Sequence, residues 1–589
     1  MKDEKSYVRC KQLLFRREKL QIVSGAIHYF RVLPEYWEDR LIKLKEMGAN
    51  CVETYCAWIL HEPYKGKFDF TGRLNLDSFL TLAERLGLYV VLRPGPYICS
   101  ECDMGGLPWW LLKKDGIQLR SSDPEYLKET VPYLEKICEI VRPHLYSNGG
   151  GVIFLQIENE YGGYGNDKEY LRYLVEFYQN QGMDCAYITS DSEKQIMVHN
   201  GSMDGIPEAV NFPRDTKKYL DEMKEEHPGY PNAGMEFWCT DGGNTYGIRA
   251  VPRDIQELKK TYEEAMDCLE FVNLYMFHGG SNFGTFAGSD YKYLEKMLLP
   301  LRTTYYIGAP LDECGRRTDK YYLFRDIIDR KRWKVSALTA ADVKLAAYDD
   351  VKPKGQISLA DCRDLIAEHR SVGIQPMEKF DQGYGYIVYE TKAFAGKQGA
   401  KLVLPAVRDM AHVYLDGRYV KSVMRDRENE SEILLSGPKE YKIDILVENL
   451  GRIKFGPGIE DRKGLLGDLY LYDFGFGIFS KCFRFQCYSY DVSKIPRKYD
   501  GKAECNAPAF YRYKLTVGEA CDTYMWLKGF TRGYAFVNGF NLGRYWEIEG
   551  FDNRFYLPGA LLNKGENDIV IFDVLANDFE KDVAFREKY

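Results

Sequence analysis

The stretch LQIENEYGG at residues 155–163 runs from apolar, strand-like positions straight into two glutamates around an asparagine. Carboxylates are rarely buried without a partner, so such a stretch is either a solvated loop mouth or a place where carboxylates do chemistry. One reaction that needs two carboxyl groups is cleavage of a glycosidic bond. A protonated carboxyl serves the leaving oxygen while an ionised one acts from the other side of the anomeric carbon, and at about 5–5.5 Å apart the pair works with retention through a covalent intermediate. Glu160 is the first candidate, kept protonated where burial and a neighbouring carboxylate raise its pKa. Glu236, in GMEFW, is the candidate nucleophile. The pairing alone is a weak signal, because most glutamates of so acidic a chain sit on solvated faces.

The elements that would hold this pair can be read from periodicity. Residues 21 to about 335 alternate β-branched or apolar runs with amphipathic helices, the pattern of repeated βα units. QIVSGAIHYF, NCVETYCAW, YVVLRPGPY, VIFLQIENE, AYITSD, EAVNFP, GMEFW and VNLYMFHGG read as eight strands. Between the first two, Trp37, Leu41, Leu44 and Met47 fall on one helical face, and LDSFLTLAERLG is a helix closing on Gly87. Eight such strands predict a TIM-type (β/α)8 barrel, whose chemistry belongs at the C-terminal strand ends. Tyr55, Tyr97, Glu101, Glu158, Asn159, Glu160 and Glu236 all fall there. From about residue 345 short alternating runs separated by Gly, Asn and Asp turns replace the helices, and two β-sandwich, jelly-roll-like domains are expected. The expected division is 1–335 barrel, 336–493 linker and first sandwich, 494–589 second sandwich.

At 589 residues the chain is too long for one domain, and a formal charge of −7 with scattered Lys and Arg disfavours nucleic acid. The 46 tyrosines suit sugar-stacking clefts but equally suit large sheets. MKDEKSYVRCKQLLFRREK carries no apolar signal core, and no long uncharged apolar window follows, so a soluble, cytoplasmic protein without membrane partners is expected. Fifteen irregularly spaced cysteines fit reduced thiols.

SGAIHYFRVLPEYWEDRLIKLKEMGANCVETYCAW, HEPYKGKFDFTG, LRPGPYICSE, GGLPWWLL, GGGVIFLQIENEYG and MEFW, with VENLGRIKFGPGIEDRKGLLGD and GFTRGYAFVNGFNLGRYWE downstream, resemble glycoside hydrolase family 35, a β-galactosidase family of retaining barrel glycosidases. The resemblance spans the chain. It implies Glu160 as acid/base, Glu236 as nucleophile, and Asn159 beside the sugar 2-hydroxyl, with Tyr55, Cys99, Glu101 and Tyr305 also contacting substrate. Glu158 would hold its neighbours in place. The implied activity is exo-hydrolysis of terminal β-galactosyl residues from oligosaccharides, without a cofactor, and the resemblance permits a homo-oligomer.

Several positions depart from the family pattern: Ile59, Cys102, Thr240, Asp241, Thr285 and Ile307. They leave room for the same chemistry on another β-glycoside (a β-glucosidase, β-glucosaminidase or transglycosylase), and a catalytically silent sugar-binding barrel is a third reading. Cys99 and Cys102 form a lone C-x-x-C, and Cys56 and Cys239 end neighbouring strands. Four thiols could hold zinc tetrahedrally, but a single C-x-x-C is a weak signal and no metal is assigned.

Overall fold

The computed structural model describes residues 21–226, 230–241, 244–248, 251–305, 307–427, 430–548 and 553–588. The N-terminal segment read above for a signal, the Asp241 side chain and Tyr306 of YYIGAP lie outside the described residues.

Eight parallel strands close the barrel: β1 (Ile22–Ile27), β2 (Cys51–Tyr55), β3 (Tyr89–Arg93), β4 (Val152–Gln156), β5 (Ala186–Ser192), β6 (Glu208–Phe212), β7 (Ala233–Trp238) and β8 (Phe271–His278). Each is followed by a helix: α1 (Pro34–Met47), α2 (Leu76–Arg85), α3 (Pro124–Val141), α4 (Lys168–Asn180), α5 (Gln195–Gly201), α6 (Thr216–Glu226), α7 (Ile255–Cys268) and α8 (Asp319–Lys331). In α1, Trp37, Leu41, Leu44 and Met47 are all buried, and the helix stops at Gly48, whose φ of 111° favours glycine. The strands are shorter than the apolar runs suggested. Tyr29–Arg31 forms a 3-10 turn, and Glu158 to Glu160 follow the end of β4 rather than extend it.

Alternation along each strand sorts the barrel interior by height. Ile22, Cys51, Val91, Phe154, Ala186, Ala209, Met235 and Phe271 form one apolar plug. Two residues further along their strands, Ser24, Glu53, Arg93, Gln156, Asn211 and Asn273 are buried and polar. The same inward period that fills the floor with hydrocarbon therefore delivers the polar groups beneath the mouth.

Beyond α8 the chain first runs along the C-terminal sandwich. Leu345 bridges Asp522, Val351 bridges Val583, and Gly355–Ser358 pairs with Ala509–Val517 at one edge of a five-stranded sheet. That sheet and the three-stranded sheet of Arg554–Leu557, Thr523–Lys528 and Asp582–Arg586 enclose a core that includes Tyr513, Met525, Leu542 and Phe585. Between them in sequence, six- and four-stranded antiparallel sheets form the other sandwich around Ile387, Leu402, Ile445 and Phe485. Arg452 ties this sandwich to the barrel: fully buried, it pairs with Asp103 at 2.9 Å and Glu378 at 2.6 Å.

Candidate active site

One cavity of about 310 Å3 opens at the C-terminal ends of the strands, and Tyr55, Cys99, Glu101, Asn159, Glu160, Glu236 and Tyr305 all line it. The seven side chains read as catalytic or substrate-contacting thus converge on the same space, whereas Tyr97 and Glu158, also expected at the strand ends, do not line it. The way β7 contributes was not legible from alternation. Its pairing with β6 passes from Val210↔Gly234 to Asn211↔Glu236, and its pairing with β8 from Val272↔Gly234 to Leu274↔Phe237. This one-residue bulge lets Met235 face the apolar plug while Glu236, the next residue, also faces inward.

Glu236 is 6 % exposed and both of its oxygens are held. Arg93 reaches Oε1 at 2.8 Å, the Tyr55 hydroxyl lies 3.0 Å from the same oxygen, and the Trp238 indole donates to Oε2 at 3.0 Å. Asn159 shares this net, its Oδ1 accepting from Arg93 at 2.6 Å and Gln156 at 3.1 Å, with the Tyr55 hydroxyl 2.9 Å away. Beneath Arg93 lies Glu53, fully buried and 3.6 Å from the guanidinium, where burial raises its carboxyl to about 7 against the pull of Arg93.

Glu160 is held more lightly. It lies half-buried at the mouth, with φ 46°, and its Oε1 accepts from Asn211 at 3.1 Å. Ser190 orients that amide by donating to Asn211 Oδ1 at 2.7 Å. Burial, followed by the charge of Glu236, raises the Glu160 carboxyl to about 7. The backbone after it is packed against α5 so closely that a Cβ at Gly162 would lie 1.8 Å from the Met197 carbonyl, which explains the glycine.

Glu158 turns away from the cavity. Its φ is 57°, and its carboxylate takes a bidentate pair from buried Arg120 at 2.7 and 2.8 Å, while Arg120 also donates to the Asn159 carbonyl at 2.8 Å. The two glutamates around Asn159 are thus a strut and a cavity group.

On the opposite wall, Cys99, Ser100 and Glu101 are three consecutive non-glycine residues in the left-handed region, at φ 54°, 46° and 55°. Such runs are costly and persist only where surrounding contacts over-determine them. Here Arg31 donates to the Ser100 hydroxyl at 2.8 Å, and both Glu101 oxygens are engaged, by Tyr305 at 2.5 Å and by Lys454 at 2.5 Å. Burial alone would raise the Glu101 carboxyl, but Lys454 and Tyr305 outweigh it and hold it below the usual range.

The glycosyl hydrolases family 35 model matches residues 12–331, and models described as the first all-beta domain and the galactose-binding domain of beta-galactosidase match residues 375–480 and 508–567. Human beta-galactosidase-1-like protein 2 is 34 % identical over 94 % of this chain and 87 % of its own. The beta-galactosidase of Xanthomonas manihotis is 36 % identical over 91 % of this chain and 88 % of its own, and that of Bos taurus 33 % over 95 % and 88 %. The chain belongs to glycosyl hydrolases family 35. It is a glycoside hydrolase.

Within this family 35 enzyme, sequence reasoning missed Arg93, Asn211, Trp238, Tyr275 and Lys454. Arg93 and Asn211 lay inside quoted runs without being singled out, although a charged or amide residue at an inward strand end is the signal that could have found them. Lys454 comes from the first sandwich, and nothing in its spacing points to the barrel. Of the six departures from the family pattern, Thr240 lines the cavity. Ile59 is packed in the barrel core at 2 % exposure, Cys102 is fully buried beside Arg31, and neither they nor Thr285 and Ile307 line it. The four thiols weighed as zinc ligands do not converge. Cys99 lines the cavity, whereas Cys239 turns to the Phe237 carbonyl at 3.8 Å and Cys102 to the Ser100 carbonyl at 3.3 Å. Burial pushes the thiols of Cys56, Cys102 and Cys239 up to about 12, away from the thiolate a metal needs. Among the described residues no cluster of His, Cys, Asp and Glu could hold a metal ion.

Proposed function

We propose that this family 35 enzyme is a retaining, exo-acting β-galactosidase that removes terminal non-reducing β-galactosyl residues from oligosaccharides. The observation that carries the reading is the convergence of Glu160 and Glu236 on one cavity in contrasting states of restraint. Glu236, fixed by Arg93, Tyr55 and Trp238, attacks the anomeric carbon, and Glu160, protonated up to about pH 7, hands its proton to the departing oxygen. Water then reverses the sequence, with Glu160 as base. A cavity of about 310 Å3 accommodates one terminal sugar more readily than an internal stretch of chain, which supports the exo mode. The galactose assignment is supported by its relatives and by the position of most departures outside the cavity lining. Fourteen cysteines outside any disulfide among the described residues support a reducing compartment, hence the cytoplasm.

The test is a set of initial rates on nitrophenyl β-galactoside, β-glucoside, β-N-acetylglucosaminide and β-glucosaminide, with proton NMR of the first-formed sugar. A galactoside preference with β-anomer released first is the expected result. Preference for another glycoside overturns the sugar, α-anomer released first overturns retention, and tight sugar binding without turnover of any of the four would favour the silent-barrel reading.

A further inference from the structure

Lys454 reaches the cavity from outside the barrel. It lies in the VENLGRIKFG segment of the first sandwich, its side chain is 13 % exposed, and its ammonium is 2.5 Å from Glu101 Oε1 and 3.3 Å from Asp290 Oδ1. Its backbone is pinned on both sides of the peptide unit, the N–H donating to the Ser289 carbonyl at 3.0 Å and the carbonyl accepting from the Tyr97 hydroxyl at 2.7 Å. An ammonium has three protons, and the hydrogen bond to Glu101 and the ion pair with Asp290 take up at most two of them. The third is available to a hydroxyl in the cavity that Lys454 lines.

We infer that Lys454 is a sugar-recognition residue supplied by the first sandwich, which fixes the Glu101 carboxylate in its left-handed loop and, together with it, grips one sugar hydroxyl as donor beside acceptor. The chemistry supports a paired reading. Glu101 without Lys454 would be a desolvated carboxylate with one neutral donor, Tyr305, while Arg31 and the Gly288 N–H would still hold the backbone of the Cys99–Glu101 loop. With Lys454 in place the wall presents an ionised acceptor and a cationic donor next to each other, and a hydroxyl can satisfy both at once. A site built to bond a hydroxyl discriminates strongly against a sugar that lacks it, because its own groups are then left unpaired. The sandwich is on this account part of the substrate pocket, and the barrel alone presents an incomplete one.

The inference rests on the glycosidase reading of the site, and the experiment separates the two. Wild-type, Lys454→Met and Lys454→Arg proteins are compared on the nitrophenyl glycoside the wild type prefers and on its monodeoxy analogues, with calorimetric binding of the corresponding free sugars and thermal unfolding alongside. Lys454→Met should lower kcat/KM by about 10- to 100-fold, the loss expected for a charged hydrogen bond, mainly through KM. For one monodeoxy analogue the same substitution should cost little, since the hydroxyl that Lys454 grips is already missing, and Lys454→Arg should restore part of the discrimination. An equal loss on the parent and every analogue would reduce Lys454 to a structural strut and overturn the inference. Should Lys454→Met fail to fold, Asp290→Asn and Lys454→Arg carry the same comparison. A wild type that prefers a glucoside would overturn the proposed sugar while leaving the Lys454 comparison intact, and one that binds but does not turn over is read from the calorimetry.

Discussion

Glu236 and Glu160 line the same cavity but are held by opposite means. Glu236 has a guanidinium at 2.8 Å, a tyrosine hydroxyl and an indole on its two oxygens, whereas Glu160 has one amide at 3.1 Å. The positive charge of Arg93 sits on the first, and the second feels mainly burial and the negative charge of the first. The difference shows that burial raises a carboxyl unless cations and donors counter it: Glu160, with one amide and no cation in contact, is raised by burial and by the charge of Glu236. The wall of Glu101 repeats the rule, since Lys454 and Tyr305 hold that carboxyl low despite its burial.

The contrast breaks most completely if the anchored carboxylate is neutralised. Glu236→Gln should reduce turnover by on the order of 10^5-fold with good and poor leaving groups alike. Glu160→Gln should cost about 10^2–10^4-fold on alkyl glycosides but leave the first step on dinitrophenyl glycosides nearly intact, because such a leaving group departs without a proton. Pre-steady-state rates on both substrate types check this, and equal losses for the two variants on every leaving group would contradict the division of roles.

Arg93→Met attacks the anchoring itself. It leaves Glu53 and Glu236 buried without their shared cation, so destabilisation of about 3–5 kcal/mol in urea unfolding is expected, together with a fall in kcat. A stable, fully active variant would mean that Arg93 is not needed to anchor Glu236.

The proton on Glu160 gives two smaller effects. With its carboxyl raised to about 7, kcat/KM should fall as pH rises through that value, and this limb should vanish in Glu160→Gln on activated substrates. The linkage has the same sign. A raised folded-state value means that the fold favours the protonated group, so its contribution is complete below the ordinary carboxylate range and is lost as pH rises through about 7. Relative to wild type, Glu160→Gln should therefore gain stability over that window, as followed by thermal melts at several pH values. Smallest of all, Asn211→Ala removes the one hydrogen bond that favours the ionised form of Glu160 and should move the alkaline limb to higher pH. Movement to lower pH would show that the amide is not acting on Glu160.

Much of this site could be read from the chain because its residues lie at strand ends, where apolar runs stop abruptly. Tyr55 closes β2, Asn159 and Glu160 lie three and four residues past the end of β4, and Glu101 lies eight residues past the end of β3. What was not legible involves long-range contact. Arg93 reads as the last residue of a strand until Glu53 and Glu236 are placed on either side of it. Concern over the altered family positions also depended on distance, since Ile59 and Cys102 are buried in packing beside the pocket rather than in its lining.

Local physics is enough for the order of strands and helices, the barrel floor and the two β-rich domains, because period-2 and period-3.6 patterns act over a few residues. The presence of Glu160 and Glu236 at ends of β4 and β7 belongs to the same level. Tertiary structure alone decided the rest. A bulge in β7 turns two neighbouring residues inward, Arg120 draws Glu158 away so that Glu160 faces the cavity, and a lysine 353 residues from Glu101 in sequence completes its wall. Each of these depends on register or ion pairing between segments far apart in the chain, and such pairings are set by the packing of the whole molecule rather than by any window of sequence.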